Sequence, residues 1–138
     1  MGGWYYTAKF DDLVKVNSAG DPIRRTGNYG VYGLIEKTVY REKQDAAQGL
    51  TLFGRVGAAN TRVNRFGLYT GGGLDYTGLI SGRTEDELGF AVAAARNGTP
   101  FNKAAFNVGT PVERWEVNLE LTYRAQVTPW LALQPDMQ

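Results

Sequence analysis

Residues Glu113 to Val127 alternate without interruption, and this alternation constrains the chain more than any other stretch does. Trp115, Val117, Leu119, Leu121, Tyr123, Ala125 and Val127 are apolar at the odd positions. Arg114, Glu116, Asn118, Glu120, Thr122, Arg124 and Gln126 are polar at the even ones. A period of two places successive side chains on opposite faces of a strand, so one face must avoid water while the other seeks it. At about 3.4 Å per residue the run reaches about 50 Å. Tilted by about 45°, it still crosses a hydrocarbon core of about 30 Å, whereas a strand in a soluble domain usually has about 5 to 6 residues.

Composition removes many competing readings. The 138 residues, one domain's worth, carry 15 basic and 14 acidic side chains, so no field of one sign draws in nucleic acid. Histidine and cysteine are absent, which takes away the usual general base, zinc ligands, thiolates and disulfides. An enzyme would be left with carboxylate pairs alone, and no cofactor or metal is expected. Glycine (18), tyrosine (8), phenylalanine (6) and tryptophan (3) are plentiful, the residues of twisted sheets, tight turns and interfacial belts. The closest approach to an apolar helix, Phe90 to Ala95, is six residues long, far below the about 20 that a membrane helix needs. The start, MGGWYYTAKF, lacks the basic, apolar and small-residue succession of a secretory signal, so the sequence is expected to be a mature chain or part of one.

Taken in order, Gly3–Phe10 predicts a first strand, with Trp4, Tyr6, Ala8 and Phe10 on one face. Residues 11–27 predict a long polar loop around Asn-Ser-Ala-Gly-Asp-Pro. Asn28–Arg41 predicts a second strand whose face of Tyr29, Val31, Ile35 and Val39 is blurred by Tyr32, Leu34 and Tyr40 opposite. Leu50–Asn60 follows, with Arg55 opposite Leu50 and Leu52, and then Arg65–Tyr76, with Asp75 opposite Leu74 and Tyr76. Gly71-Gly72-Gly73 inside that strand predicts curvature or close approach of another backbone. A phosphate cradle would need a following Lys-Ser/Thr and a helix N-terminus, which the sequence does not supply. Gly78–Glu87 predicts a turn in which Glu85-Asp86-Glu87 is solvated, since it lacks the spaced oxygens of a calcium loop. Leu88–Ala95 predicts a fifth strand with a small-residue second face. Residues 97–111 read as a loop, and Thr128-Pro129 as a tight turn before a last strand, Trp130–Gln138.

Three stretches carry a family likeness: GLTLFGRVG (49–57), GGGLDYTGLISGRTEDELGFAVA (71–93) and LELTYRAQVTPWLALQPDMQ (119–138). Together they resemble the C-terminal half of carbohydrate-selective porins of the OprB type. The resemblance implies an all-β fold: antiparallel up-and-down transmembrane strands, about seven here, within a sixteen-stranded barrel of the bacterial outer membrane. It implies passive diffusion of carbohydrate solutes, with outer-membrane lipid outside and no energy source. Members of that family continue past the motif through a closing strand, so the seven strands would be the ninth to fifteenth. An odd, open set leaves edges that lipid does not tolerate, so pairing with further strands or with another copy is expected to close the barrel.

The wet faces supply candidates for the lumen: Arg55, Asp75, Arg114, Glu116, Asn118, Glu120 and Arg124, supported by Thr122 and Gln126. A neutral, hydroxyl-rich solute is matched by fixed donors and acceptors of both signs. The same Arg and Glu side chains also suit plain cross-strand pairing that orders a watery wall. Trp4, Tyr6, Trp115, Tyr123 and Trp130 suit an aromatic girdle at the membrane interfaces. The other reading of the alternation is a soluble lipocalin-like barrel, its apolar faces turned inward around a small apolar ligand.

Overall fold

In the computed structural model, which describes residues 1–138, five long strands do most of the building: β4 (Asn28–Arg41), β5 (Gly49–Ala59), β6 (Phe66–Thr77), β7 (Glu87–Asn97) and β8 (Trp115–Thr128). Before them come β1 (Gly2–Tyr6), β2 (Phe10–Val16) and β3 (Pro22–Arg25). Helix α1 (Thr99–Asn107) lies between β7 and β8, and the short β9 (Leu131–Leu133) and β10 (Asp136–Met137) follow. The main sheet runs β1-β4-β5-β6-β7-β8-β10, with β9 also on β8, and β2 pairs with β3 apart from it. β1 lies antiparallel to β4 with Trp4 opposite Gly30 and Tyr5 opposite Tyr29. β9 and β10 both run antiparallel to β8. From β4 to β8, neighbours in sequence are neighbours in the sheet, the order of an up-and-down meander.

Burial is inverted relative to a soluble domain. No hydrophobic residue is buried, whereas Asp12, Asn28, Asp86 and Asn97 are. Val117 of β8 is 65% exposed and Ile35 of β4 is 71% exposed. The accessible surface is 9774 Å², against about 7100 Å² for a soluble monomer of this mass. Such a sheet is covered on its apolar side by something other than its own chain.

The chain divides into two compact units: Met1–Gly33 with Arg55–Thr70 and Ala94–Val117, and Leu34–Gly54 with Gly71–Ala93 and Asn118–Gln138. The five long strands each contribute residues to both. The first unit holds the hairpin β2–β3, the 60–65 connection and α1, and the second holds the turns 42–48, 78–86 and 129–130.

Four expectations are corrected. The first strand stops at Tyr6, and Phe10 opens β2 with its ring 6.1 Å from that of Tyr6. The loop expected over 11–27 is instead the β2–β3 hairpin. Asn17 Oδ1 accepts from the backbone N–H of Ala19 and Asp21, both at 2.9 Å, and Gly20 takes φ 90°. This hairpin is held by polar local bonds and has no dry face to defend, so it carries no period-two signal. Residues 97–111 contain α1, entered through Pro100, whose fixed φ suits the first helical turn. Finally, 130–138 is two short pieces, because the segment turns at Pro135, whose carbonyl accepts from Tyr123 N–H at 3.1 Å. The triple glycine behaves as expected. A Cβ at Gly72 would meet Phe53 O at 2.9 Å, and one at Gly73 would meet the Phe53 ring at 2.7 Å.

Candidate functional site

Strand alternation and cross-strand contacts decide which side chains share a face. In the second unit, a Cβ on Gly89 would lie 3.5 Å from Asp75 Oδ2 and 3.9 Å from Thr122 Cβ, so Asp75 (β6), Gly89 (β7) and Thr122 (β8) stand on one face. Phe53 leans on Gly73 on that same face, and Thr38 and Thr51 hydroxyls meet there at 3.1 Å. By alternation Glu120, Arg124 and Gln126 join them. Arg124 pairs with Glu87 at 3.2 Å and donates to Gln126 Oε1 at 3.1 Å, while Thr122 Oγ1 donates to Glu120 Oε1 at 3.1 Å. The face is therefore a lattice of donors and acceptors of both signs, held by neighbours rather than loose in water. The small residues of β7, Gly89, Ala91 and Ala93, leave room above it. Leu119, Leu121 and Leu74 occupy the opposite face.

The first unit brings one predicted residue, Glu116, into a node that the sequence pattern does not reveal. Arg65 pairs with Glu116, and its Nε donates to Asn97 Oδ1 at 2.9 Å. Its guanidinium carbon stands 4.8 Å from the ring centres of both Phe66 and Phe101. Asn97, only 2% exposed, donates in turn to Glu113 O at 2.7 Å and Glu116 Oε1 at 3.2 Å. The node ties β6, β7, α1 and β8 together. Arg114 stands just before β8 with an exposed side chain, and its carbonyl accepts from Asn97 N–H at 3.0 Å. Asn118 is exposed, and Arg55, on the face of Phe53, is exposed too.

The aromatic candidates divide between the two faces. Trp4 lies across Gly30 with its ring 6.5 Å from that of Tyr32, and Tyr32 Cβ approaches the Cβ position of Gly57 at 3.6 Å. That puts Trp4, and by alternation Tyr6, on the side of Arg55. Trp115 stands on the apolar side. Tyr123 is held by its hydroxyl, which donates to Asp86 and accepts from Arg83 Nε at 3.1 Å. Trp130 is 82% exposed in the 129–130 turn. Tyr5 and Tyr29, paired in register and exposed on the apolar side, were not singled out by pattern, because Tyr32 and Tyr40 blur the two faces of β4.

The solvated turn expected over Glu85-Asp86-Glu87 is corrected at two of its three residues. Asp86 is 4% exposed and accepts from Arg83, from Tyr123 and from Gln126 N–H at 2.9 Å, which latches the 78–86 turn to β8. Glu87 is committed to Arg124. The Arg83 guanidinium, with the Tyr123 hydroxyl and the Gln126 N–H, overcomes the opposing effect of burial and holds the Asp86 carboxyl down at about 2. In the β2–β3 hairpin, burial alone would raise the Asp12 carboxyl. The N–H groups of Lys15 and Val14 and the Arg25 guanidinium outweigh it and hold this carboxyl also at about 2.

Comparison with known proteins accounts for this geometry. The chain matches the family model of the carbohydrate-selective porin, OprB family, over residues 1–138. It is 27% identical over 159 aligned residues to Porin B of Pseudomonas aeruginosa, covering 100% of this chain and 35% of that protein. The high-pH structure of Pseudomonas putida OprB superposes with a TM-score of 0.84 at 26% identity, covering 97% of this chain and 37% of that one. The chain thus spans about a third of the length of these relatives. With the family model matched from end to end and the chain superposing closely on a solved member, the chain belongs to the OprB family of carbohydrate-selective porins.

Proposed function

We propose that these 138 residues form one stretch of the wall of a water-filled outer-membrane β-barrel through which sugars diffuse passively and selectively. The observation that carries this reading is the inverted burial: every large apolar side chain stays accessible while the buried side chains are polar. A soluble binding module would turn those apolar rows inward around a cavity. Here they stay exposed, as a lipid-contacting wall requires.

On this reading Leu119, Leu121, Leu74 and Ile35 touch lipid. Arg55, Asp75, Glu116, Asn118, Glu120, Thr122 and Arg124 line the water, with Arg114 at their mouth end. Tyr5, Tyr29, Phe66 and Trp115 form one girdle, and Trp130 belongs to the other. The lattice around Arg124 offers fixed polar partners of both signs to hydroxyl groups. The free edges of β1 and β10 pair with further strands to close the wall, since lipid leaves no open ladder unsatisfied.

The test is reconstitution of the intact porin carrying this segment in planar bilayers. Stable open-channel conductance that falls as saccharide is added supports the proposal. Absence of conductance, or conductance indifferent to saccharides, refutes it.

A further inference from the structure

The first unit contains an open cavity of about 350 Å³ lined by the β2–β3 hairpin, the 60–65 connection and the start of α1. Four cations reach it, Lys15, Arg25, Arg62 and Lys103, and only one carboxylate, Asp12. That carboxylate is fully engaged. Its Oδ2 is paired with Arg25, and its Oδ1 accepts the N–H groups of Val14 and Lys15 at 2.9 and 2.8 Å. Lys15, Arg62 and Lys103 have no carboxylate within 4.0 Å, which leaves the cavity with a net charge of +3.

The backbone that carries these charges is tied together. The Leu13 N–H donates to Arg62 O at 2.9 Å, stitching the hairpin to the 60–65 connection, and α1 packs against β2, so the walls stand on three tied elements. Three like charges around one concavity repel each other, and an anion placed among them relieves that repulsion. A carboxylate brings one negative charge. A phosphate monoester brings about −1.5 to −2 at neutral pH and three acceptor oxygens, which matches two ammonium groups and a guanidinium fork. The cavity exceeds what a bare phosphate fills and lies at the small end of the range of small-molecule pockets. Thr99 adds a hydroxyl, while Val14 and Pro100 add an apolar wall.

We propose that this cavity binds a phosphorylated saccharide, gripped at its phosphate by Lys15, Arg62 and Lys103. The site is built from the β2–β3 hairpin, the 60–65 connection and α1, not from the polar face of the main sheet, so it does not depend on the reading of that face as a sugar path. The phosphate belongs either to a free sugar phosphate or to the phosphorylated headgroup of a membrane glycolipid.

The experiment uses the intact porin in detergent and the variants Arg62→Gln and Lys103→Gln, with Lys37→Gln on β4 as a control outside the cavity. Calorimetry at low salt uses glucose 6-phosphate as the free probe. Flotation with vesicles with and without lipopolysaccharide supplies the lipid probe. Loss of one charge-assisted contact is expected to weaken the responsive probe by about tenfold per substitution, with salt weakening it further and Lys37→Gln leaving it unchanged. Response of glucose 6-phosphate identifies a free sugar phosphate, and response confined to lipopolysaccharide vesicles identifies a headgroup. The proposal is overturned if neither probe binds, or if binding is the same in Arg62→Gln, Lys103→Gln and the unsubstituted porin. Lys15→Gln, on the hairpin, repeats the test should either other variant fail to fold.

Discussion

Replacing Arg65 by alanine should release the segment that carries α1, and the structure sets the size of the effect. Asn97 is 2% exposed and its Oδ1 takes a hydrogen bond from Arg65 Nε at 2.9 Å. Stranding that buried acceptor costs about 1–3 kcal/mol. The ion pair with Glu116 adds little, about 0–1 kcal/mol, because the two side chains are 43% and 44% exposed and water screens them. Each ring contact, at 4.8 Å to Phe66 and to Phe101, contributes about 0.5–1 kcal/mol. These contacts share one side chain and do not add fully, so the loss is about 2–4 kcal/mol. That corresponds to about a 30- to 1000-fold rise in local opening. The assay is deuterium uptake by amides 98–109 in the intact porin, with amides of β5 as internal reference. Arg65→Lys keeps the charge but cannot aim Nε at Asn97 while reaching Glu116, so it should fall between the two. Uptake in Arg65→Ala equal to that of the unsubstituted protein would refute the node as an anchor, and so would complete rescue by lysine.

Other substitutions separate the two faces and the turns. Leu119→Arg should lower the fraction of porin folded into liposomes, by about 2–4 kcal/mol if the site lies near the bilayer midplane. Its neighbour Asn118→Arg, on the opposite face, should fold normally, and equal effects would count against the assignment of faces. Gly73→Ala drives a Cβ into the Phe53 ring at 2.7 Å and into the Phe90 carbonyl, and should cost about 1–3 kcal/mol in denaturant titration. Gly33→Ala meets only Val56 Cγ1 at 3.6 Å and should be tolerated. Acid should loosen the hairpin and the 78–86 turn. Asp12 and Asp86 titrate at about 2 in the folded chain against an ordinary 3.8, so the unfolded chain binds more protons between those values. The stabilisation is present in full above the ordinary value and is lost as pH falls through 3.8 toward 2. Asp86→Asn, followed by thermal melting across that range, should show a shallower acid dependence, and an unchanged dependence would remove Asp86 from the account.

How much could be read in advance depended on whether a segment had a dry side. β4 to β8 stood out because their apolar and polar residues tend to separate onto opposite faces, and that separation writes a period of two into the residues themselves. The same separation made the polar row of β8 legible from Glu116 to Gln126. The β2–β3 hairpin and α1 have no such separation, and their order comes from Asn17, Asp12 and Pro100 through local bonds that leave no long period. Tyr32 and Tyr40 on β4 disguised its faces, and Trp4 and Tyr6, which suit a girdle by residue type, come to the side of Arg55 through Gly30 and Gly57.

Sequence alone determined the two-faced strands through their alternation, removed the usual catalytic groups through the absence of histidine and cysteine, and carried a porin likeness in residues 119–138. These are properties of successive residues, and a strand expresses them whatever its neighbours are. Tertiary structure alone decided that Arg65 meets Glu116 across a separation of 51 residues, that Asp86 leaves the solvent to hold Tyr123 and Gln126, and that Lys15, Arg62 and Lys103 converge on one cavity. Such meetings depend on register between strands and on how connections fold back. No periodicity encodes them, because each partner lies on a different element and signals nothing until the elements are aligned.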